Sequence, residues 1–252
     1  MEPSGSRWKG KGFADIAAEN PMSEIVRKLK YFLTQSKATA MLSGCVSLLE
    51  AKTELADLLN RSCFGRQITT SEKANHWFQL SSEETFYMLH DLQSLTIINQ
   101  TESPLSELEL WNYMKVNKET FPELYMAYAH LRRKNWVVRT GAQYGADFVA
   151  YRHHPALVHS DYAVVVLQEG DGIVQKNGKL RAWSDLQCSL RVSGSVAKTL
   201  LVLFVNRNGS DGANPSCLQH FSVEERTISR WVAEQCREDD CLDKGCRHAL
   251  NE

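Results

Sequence analysis

Two uninterrupted apolar runs, Ala163–Leu167 and Leu200–Val205, constrain this chain more than any other feature of its sequence. Runs of that length without polar alternation suit central strands buried on both faces. Between them, Ser184-Asp185-Leu186-Gln187 reads as a capping box, and Leu186, Leu190 and Ala197 form a helical stripe ending near Lys198. Trp136–Arg139 and Asp147–Tyr151 read as further strands, and Val223–Cys236 mixes strand and helix signals. The second half is therefore α/β (α+β) with a mixed sheet, compatible with a small nuclease-like domain.

The first half has a different rhythm. Ile25, Leu29, Phe32, Met41, Val46, Leu49 and Leu58 recur at roughly helical spacing from Pro21 to about Asn60, followed by a break at Phe64-Gly65-Arg66. Ser81-Ser82-Glu83-Glu84 starts a helix carrying Phe86, Leu89, Leu92 and Leu95, and Ile97-Ile98 can continue as a short strand. Ser106-Glu107-Leu108-Glu109 starts another helix, and Thr120-Phe121-Pro122-Glu123 a third, running through Tyr125, Tyr128 and Leu131. The expected division is a flexible leader over 1–20, a small helical and strand-containing packing domain over 21–118, a mixed-sheet domain over 119–236 and a polar tail over 237–252.

Composition narrows the function. A net charge of -1 gives no basic excess for gripping phosphates, so nucleic-acid binding must rest on local patches. Arg132, Arg133, Lys134 and Arg139 around Trp136 form one such patch, weighed against a plain solvated face. No stretch approaches the roughly 18 apolar residues of a membrane span, and Met1–Gly12 lacks the apolar core of a secretory signal. The seven scattered cysteines fit a reducing compartment, with Cys45 and Cys188 read as buried small hydrophobes.

Common catalytic signatures are missing: the chain has no phosphate-loop, dinucleotide, HExxH or GxSxG pattern. The E-x-K of metal-dependent nucleases occurs as Glu50-Ala51-Lys52, in a stretch read as helical and far from the second-half strands. Cys236, Cys241, Cys246 and His248 have loose zinc-ligand spacing in a charged tail, and no metal or cofactor is expected. Tyr151, His159 and Lys198 each stand at an edge of a second-half element. A phenol, an imidazole and an ammonium can cleave RNA without a metal, one group taking the 2′-hydroxyl proton, another protonating the 5′-oxygen, and the cation stabilising the phosphorane. Tyr151 as base would need a nearby cation such as Lys198. The bland alternative is a tyrosine and a histidine packed beside a sheet.

Leu131-Arg132-Arg133-Lys134-Asn135-Trp136-Val137-Val138-Arg139-Thr140-Gly141-Ala142-Gln143-Tyr144-Gly145-Ala146-Asp147-Phe148-Val149-Ala150-Tyr151 resembles the LR-x-x-G-[YWF]-V-V-x-x-G-x-x-[FY]-G-x-D-[FY]-x-x-Y pattern of the tRNA-splicing endonucleases. The His159-Ser160-Asp161-Tyr162 strand start and the Ser195–Leu201 stretch around Lys198 are similar to the same family. The likeness covers about residues 76–236, with His76-Trp77-Phe78 and Leu80–Glu84 similar to the family's amino-terminal domain. Asn135 departs from a usual glycine, and an inserted loop near Gly170–Lys179 lengthens the step from His159 to Lys198.

That resemblance implies a mixed-sheet domain of the tRNA-intron endonuclease type with Tyr151 as general base, His159 as general acid and Lys198 as transition-state stabiliser. The products would be a 2′,3′-cyclic phosphate and a 5′-hydroxyl. Arg191 and Trp231 match an RNA-binding cation–π clamp, although Arg191 and Lys198, seven apart, would share one face of a continuous helix. The resemblance also implies a precursor tRNA substrate, a heterotetramer with structural and second catalytic subunits, no membrane, a nuclear location, and the subunit type that cuts the 5′ splice site. A 3′-site catalytic subunit, a non-catalytic structural subunit and a plain RNA-binding module are the alternatives. Subunit pairing by strand continuation is expected at Leu200–Val205 or near Phe221–Val223.

Overall fold

The computed structural model describes residues 7–68, 76–169, 180 and 182–228. In chain order the elements are α1 (Phe13–Glu19), α2 (Met22–Ser36), β1 (Thr39–Ser43), β2 (Val46–Ala51), α3 (Thr53–Ser62), β3 (Arg66–Ile68), β4 (His76–Leu80), α4 (Ser82–His90), β5 (Thr96–Ile98), α5 (Glu107–Asn117) and α6 (Phe121–Arg133). The second half follows with β6 (Val137–Thr140), β7 (Phe148–Tyr151), β8 (Tyr162–Glu169), α7 (Trp183–Ser195), β9 (Thr199–Asn206) and β10 (Ser222–Ile228).

Two five-stranded sheets result, ordered β3-β4-β2-β1-β5 and β10-β9-β8-β7-β6. Both are mixed: β1 runs parallel to β5, and β8 parallel to β9, with the other pairs antiparallel. The two apolar runs are thus neighbouring strands deep in the second sheet, joined by a crossover that carries α7, as a parallel pair requires.

Several readings of local sequence change. Thr39–Ala51 is a β-hairpin, not helix, because Gly44 takes φ 60° at its turn and Ala40 and Leu42 alternate inward. Glu50-Ala51-Lys52 therefore ends a strand of the first sheet. The Ser81 and Ser106 boxes form with both reciprocal bonds, although the helix after Ser81 stops at His90. The box at Thr120 does not form, since Glu123 is drawn instead to Arg207, 2.6 Å away. At α7 the cap lies earlier than read, with the Ala182 amide donating to the Asp185 carboxylate at 3.0 Å.

The leader is also revised. Residues 7–20, expected to be mobile, carry α1 and a bridge between Trp8 and Val158. Leu200–Val205 is not an edge, because β9 lies between β8 and β10; the open edge of that side is β10. Cys45 and Cys188 are exposed, and among the described residues the buried cysteines are Cys63 and Cys217. The loop near Gly170–Lys179, Trp231 and the cysteine-containing tail lie outside the described residues.

One apolar core runs through both halves. Helix α6 buries residues on nearly all its sides, touching α4 and α5 in front and β8 and β9 behind. Phe86, Trp111, Phe121 and Tyr125 pack edge-on or tilted around its first turns, with ring centroids 4.8 to 5.8 Å from Phe86.

Candidate active site

Strand register brings the three chemical groups to one end of the second sheet. β7 and β8 run antiparallel with Ala150 opposite Tyr162, so Tyr151 at the exit of β7 meets the entry of β8. β8 and β9 run parallel with Tyr162 opposite Thr199, which puts His159 and Lys198 both just before strand starts on that edge. Main-chain bonds lace the three ends together: the Asp161 amide donates to the Ala150 carbonyl at 3.0 Å, and the Thr199 amide donates to the Asp161 carbonyl at 2.9 Å. The Asp161 carboxylate in turn holds Arg152 at 2.7 Å.

Tyr151 is half-buried, and its ring packs on a small cluster of Met22, Ile25, Cys63 and Val137. Burial pushes the Tyr151 phenol above its ordinary value and neighbouring Tyr144 adds to this, while Ser160 and then Arg139 pull it back. The cation acting on Tyr151 is thus Arg139, whereas the Lys198 ammonium stands 4.5 Å from the centre of the Tyr144 ring. Burial and then Arg7 lower the Lys198 ammonium.

His159 is exposed, which a group exchanging protons with a bound RNA requires. Partial desolvation, then Lys9, Arg7 and Lys198, push its imidazole below the ordinary value. Its amide donates to the Arg7 carbonyl at 3.0 Å, and the Arg7 guanidinium donates to the Ser160 carbonyl at 3.2 Å.

The helix before Lys198 resolves one question of spacing. α7 ends at Ser195, Ala197 turns into the left-handed region at φ 50°, and the Lys198 amide donates back to the Ser193 carbonyl at 2.8 Å. Arg191 and Lys198 are therefore not on one continuous helix, yet both line a cleft with Ser193, Thr199 and Ile228. Arg191 is exposed, while its expected companion Trp231 lies outside the described residues.

The basic patch read around Trp136 is not a free phosphate surface. Arg132 is buried and bonded to the Ser62 and Cys63 carbonyls, Arg133 pairs with Asp91, Lys134 with Glu225, and Arg139 donates to the Gly65 carbonyl. Sequence reasoning missed Tyr144, Ser160 and Arg7 as neighbours of the trio. The first two lie inside the motif that carried the resemblance; Arg7 carries no local signal.

Among the described residues, no group of three His, Cys, Asp or Glu side chains is arranged to hold a metal ion. None of their helices is long and apolar enough to cross a membrane.

Comparison with known proteins identifies the family. The family model for the tRNA intron endonuclease catalytic C-terminal domain matches residues 121–211, and that for the N-terminal domain of the same family matches residues 38–111. The likeness thus reaches further upstream than residue 76. The chain is 52% identical over 248 residues to the probable tRNA-splicing endonuclease subunit Sen2 of Oryza sativa subsp. japonica, covering 96% of this chain and 85% of that protein. It is 48% identical over 236 residues to tRNA-splicing endonuclease subunit Sen2-1 of Arabidopsis thaliana, covering 93% and 98% respectively. A 34% likeness over 170 residues extends to subunit Sen2 of Rattus norvegicus, covering 65% of this chain and 36% of the rat protein. With both of the family's domains matched in order, and with relatives aligned along nearly the whole chain, this protein belongs to the tRNA intron endonuclease family.

Proposed function

We propose that this chain is the catalytic subunit that cuts precursor tRNA at the 5′ splice site, with Tyr151, His159 and Lys198 performing the reaction. The observation that carries the reading is the meeting of three strand ends, which gathers a phenol, an imidazole and an ammonium on one edge of a rigid sheet.

The chemistry follows from what each group can do. Tyr151 takes the proton of the 2′-hydroxyl as that oxygen attacks the adjacent phosphorus. His159 gives a proton to the 5′-oxygen as its bond to phosphorus breaks, and Lys198 offsets the extra negative charge of the phosphorane. The bond formed closes a 2′,3′-cyclic phosphate, and the bond broken leaves a 5′-hydroxyl. No water is consumed and no electron changes hands; both proton transfers and the charge stabilisation are assigned to side chains.

Arg191 supplies the cationic half of a clamp on an unstacked base, with Trp231 as its aromatic half; stacking of this kind contributes about 1–3 kcal/mol per base. The working form is a heterotetramer with structural subunits and a second catalytic subunit, acting in the nucleus. The relatives' names describe a subunit of this endonuclease, which supports a working form of several chains.

The test is cleavage of an intron-containing precursor tRNA by the reconstituted complex in EDTA, wild type against His159→Ala. The expected result is both cuts by wild type and loss of the 5′ cut alone in the variant. Normal 5′ cutting by the variant would make the trio structural and transfer the reaction to another chain.

A further inference from the structure

The amino-terminal segment ahead of α1 reaches the reaction site from the far end of the sequence. Arg7, Trp8 and Lys9 lie antiparallel to the loop that carries His159: the Lys9 amide donates to the Leu157 carbonyl at 2.9 Å, Trp8 bridges Val158, and the Arg7 carbonyl accepts from the His159 amide at 3.0 Å. The Arg7 side chain then turns to the next residue, its Nη2 donating to the Ser160 carbonyl at 3.2 Å. Ser160 is buried, and its side chain is one of the groups that act on the Tyr151 phenol. One residue therefore grips the main chain on both sides of the general acid and, through Ser160, borders the general base.

The segment is anchored independently of that grip. Trp8 lines a pocket with Ala17, Pro21, Met22 and His153, and the buried His153 ring is hydrogen-bonded to the Asn20 carbonyl at 2.8 Å. A peptide fastened at both ends holds its side chains in place, and a guanidinium with five donors can serve a carbonyl and an anion together.

We propose that Arg7–Lys9 is a built-in wall of the reaction site and that Arg7 is a positioning residue, clasping the main chain on either side of the His159–Ser160 pair and adding its cation to that of Lys198 where the reacting phosphate binds. This rests on the assignment of His159 and Lys198 above. The charged groups acting on His159 are Lys9 and Arg7 from this segment and Lys198 from the start of β9.

The experiment uses the reconstituted complex, with kcat, KM and the pH dependence of kcat/KM measured for the 5′ cut, and the 3′ cut as the internal gauge of assembly. Arg7→Gln keeps a donor for the Ser160 carbonyl and removes the charge; Arg7→Lys keeps the charge. Arg7→Gln should lower plateau kcat about tenfold. It should also move the acidic limb to higher pH, because a cation that depresses the His159 imidazole has gone. Arg7→Lys should restore the position of the limb.

Wild-type kinetics in Arg7→Gln would overturn the proposal, as would an equal drop in both variants with the limb unmoved. Loss of the 3′ cut in parallel would also overturn it, by making Arg7 a residue of assembly only. His159→Ala measured alongside separates the two levels. If it retains the 5′ cut, the functional assignment itself fails; if it abolishes the cut while Arg7→Gln is silent, only the role of Arg7 does.

Discussion

Burial pushes the Tyr151 phenol above its ordinary value near 10, while partial desolvation and the cations Lys9, Arg7 and Lys198 push the His159 imidazole below 6.5. The base thus holds its proton more tightly than the acid does. The reactive form, with Tyr151 ionised and His159 protonated, is a minor arrangement of the enzyme that carries one proton between the two groups. Its share is constant wherever that singly protonated enzyme prevails. Log kcat/KM for the 5′ cut should therefore rise with pH through a value below 6.5, stay level, and fall only above 10. A fall beginning near neutrality would mean that Tyr151 is not the group with the raised value. At this scale the strand-end positions of the three residues were legible in the sequence, while their chemical roles rested on the resemblance. Tyr144 as the seat of the Lys198 ammonium was not legible, since a cation–ring contact depends on a fold that spacing alone does not reveal.

Elements were legible where a local rule decides and illegible where a distant partner does. The Ser81 and Ser106 caps formed because each box is satisfied within four residues. The Thr120 box failed because Arg207, 84 residues away, holds Glu123. The corner between β6 and β7 is fixed by its glycines: Gly145 takes φ 67°, and a Cβ on Gly141 would stand 2.6 Å from the Phe148 carbonyl oxygen and 2.9 Å from the Ala146 Cβ. Those contacts are backbone and a buried neighbour, so the strand leading to Tyr151 would have to shift. Gly141→Ala should cost about 2 kcal/mol or more of stability and depress 5′ cutting even below the melting transition. Chemical denaturation and single-turnover cleavage check both. A variant within about 0.5 kcal/mol of wild type would show that the corner can relax.

Taken as a whole molecule, the two sheets share one core, and the polar junction between them is centred on Arg132. From the last turn of α6 it reaches back to the first half, where its guanidinium donates to the Ser62 carbonyl at 3.1 Å and the Cys63 carbonyl at 2.8 Å, capping the end of α3. Its Nε donates to the Tyr128 hydroxyl at 2.9 Å, and its carbon lies 4.0 Å from the centre of the Phe64 ring. The sequence presented Arg132 as one of a basic cluster, because a charge run looks the same whether it faces water or a neighbouring domain. Arg132→Met would fill much of the volume but strand two buried carbonyls and a buried hydroxyl, each costing about 1–3 kcal/mol. The expected loss is about 3–5 kcal/mol, or roughly 10 °C in Tm for a chain of this length, in a single transition because the core is continuous. Arg132→Lys, which can reach only part of the set as a compact charge, should fall between. Melting curves of the purified complex decide it. A loss under about 1 kcal/mol in Arg132→Met would mean that packing along α6 alone joins the halves, and two separated transitions would mean that they are joined by little else than Arg132.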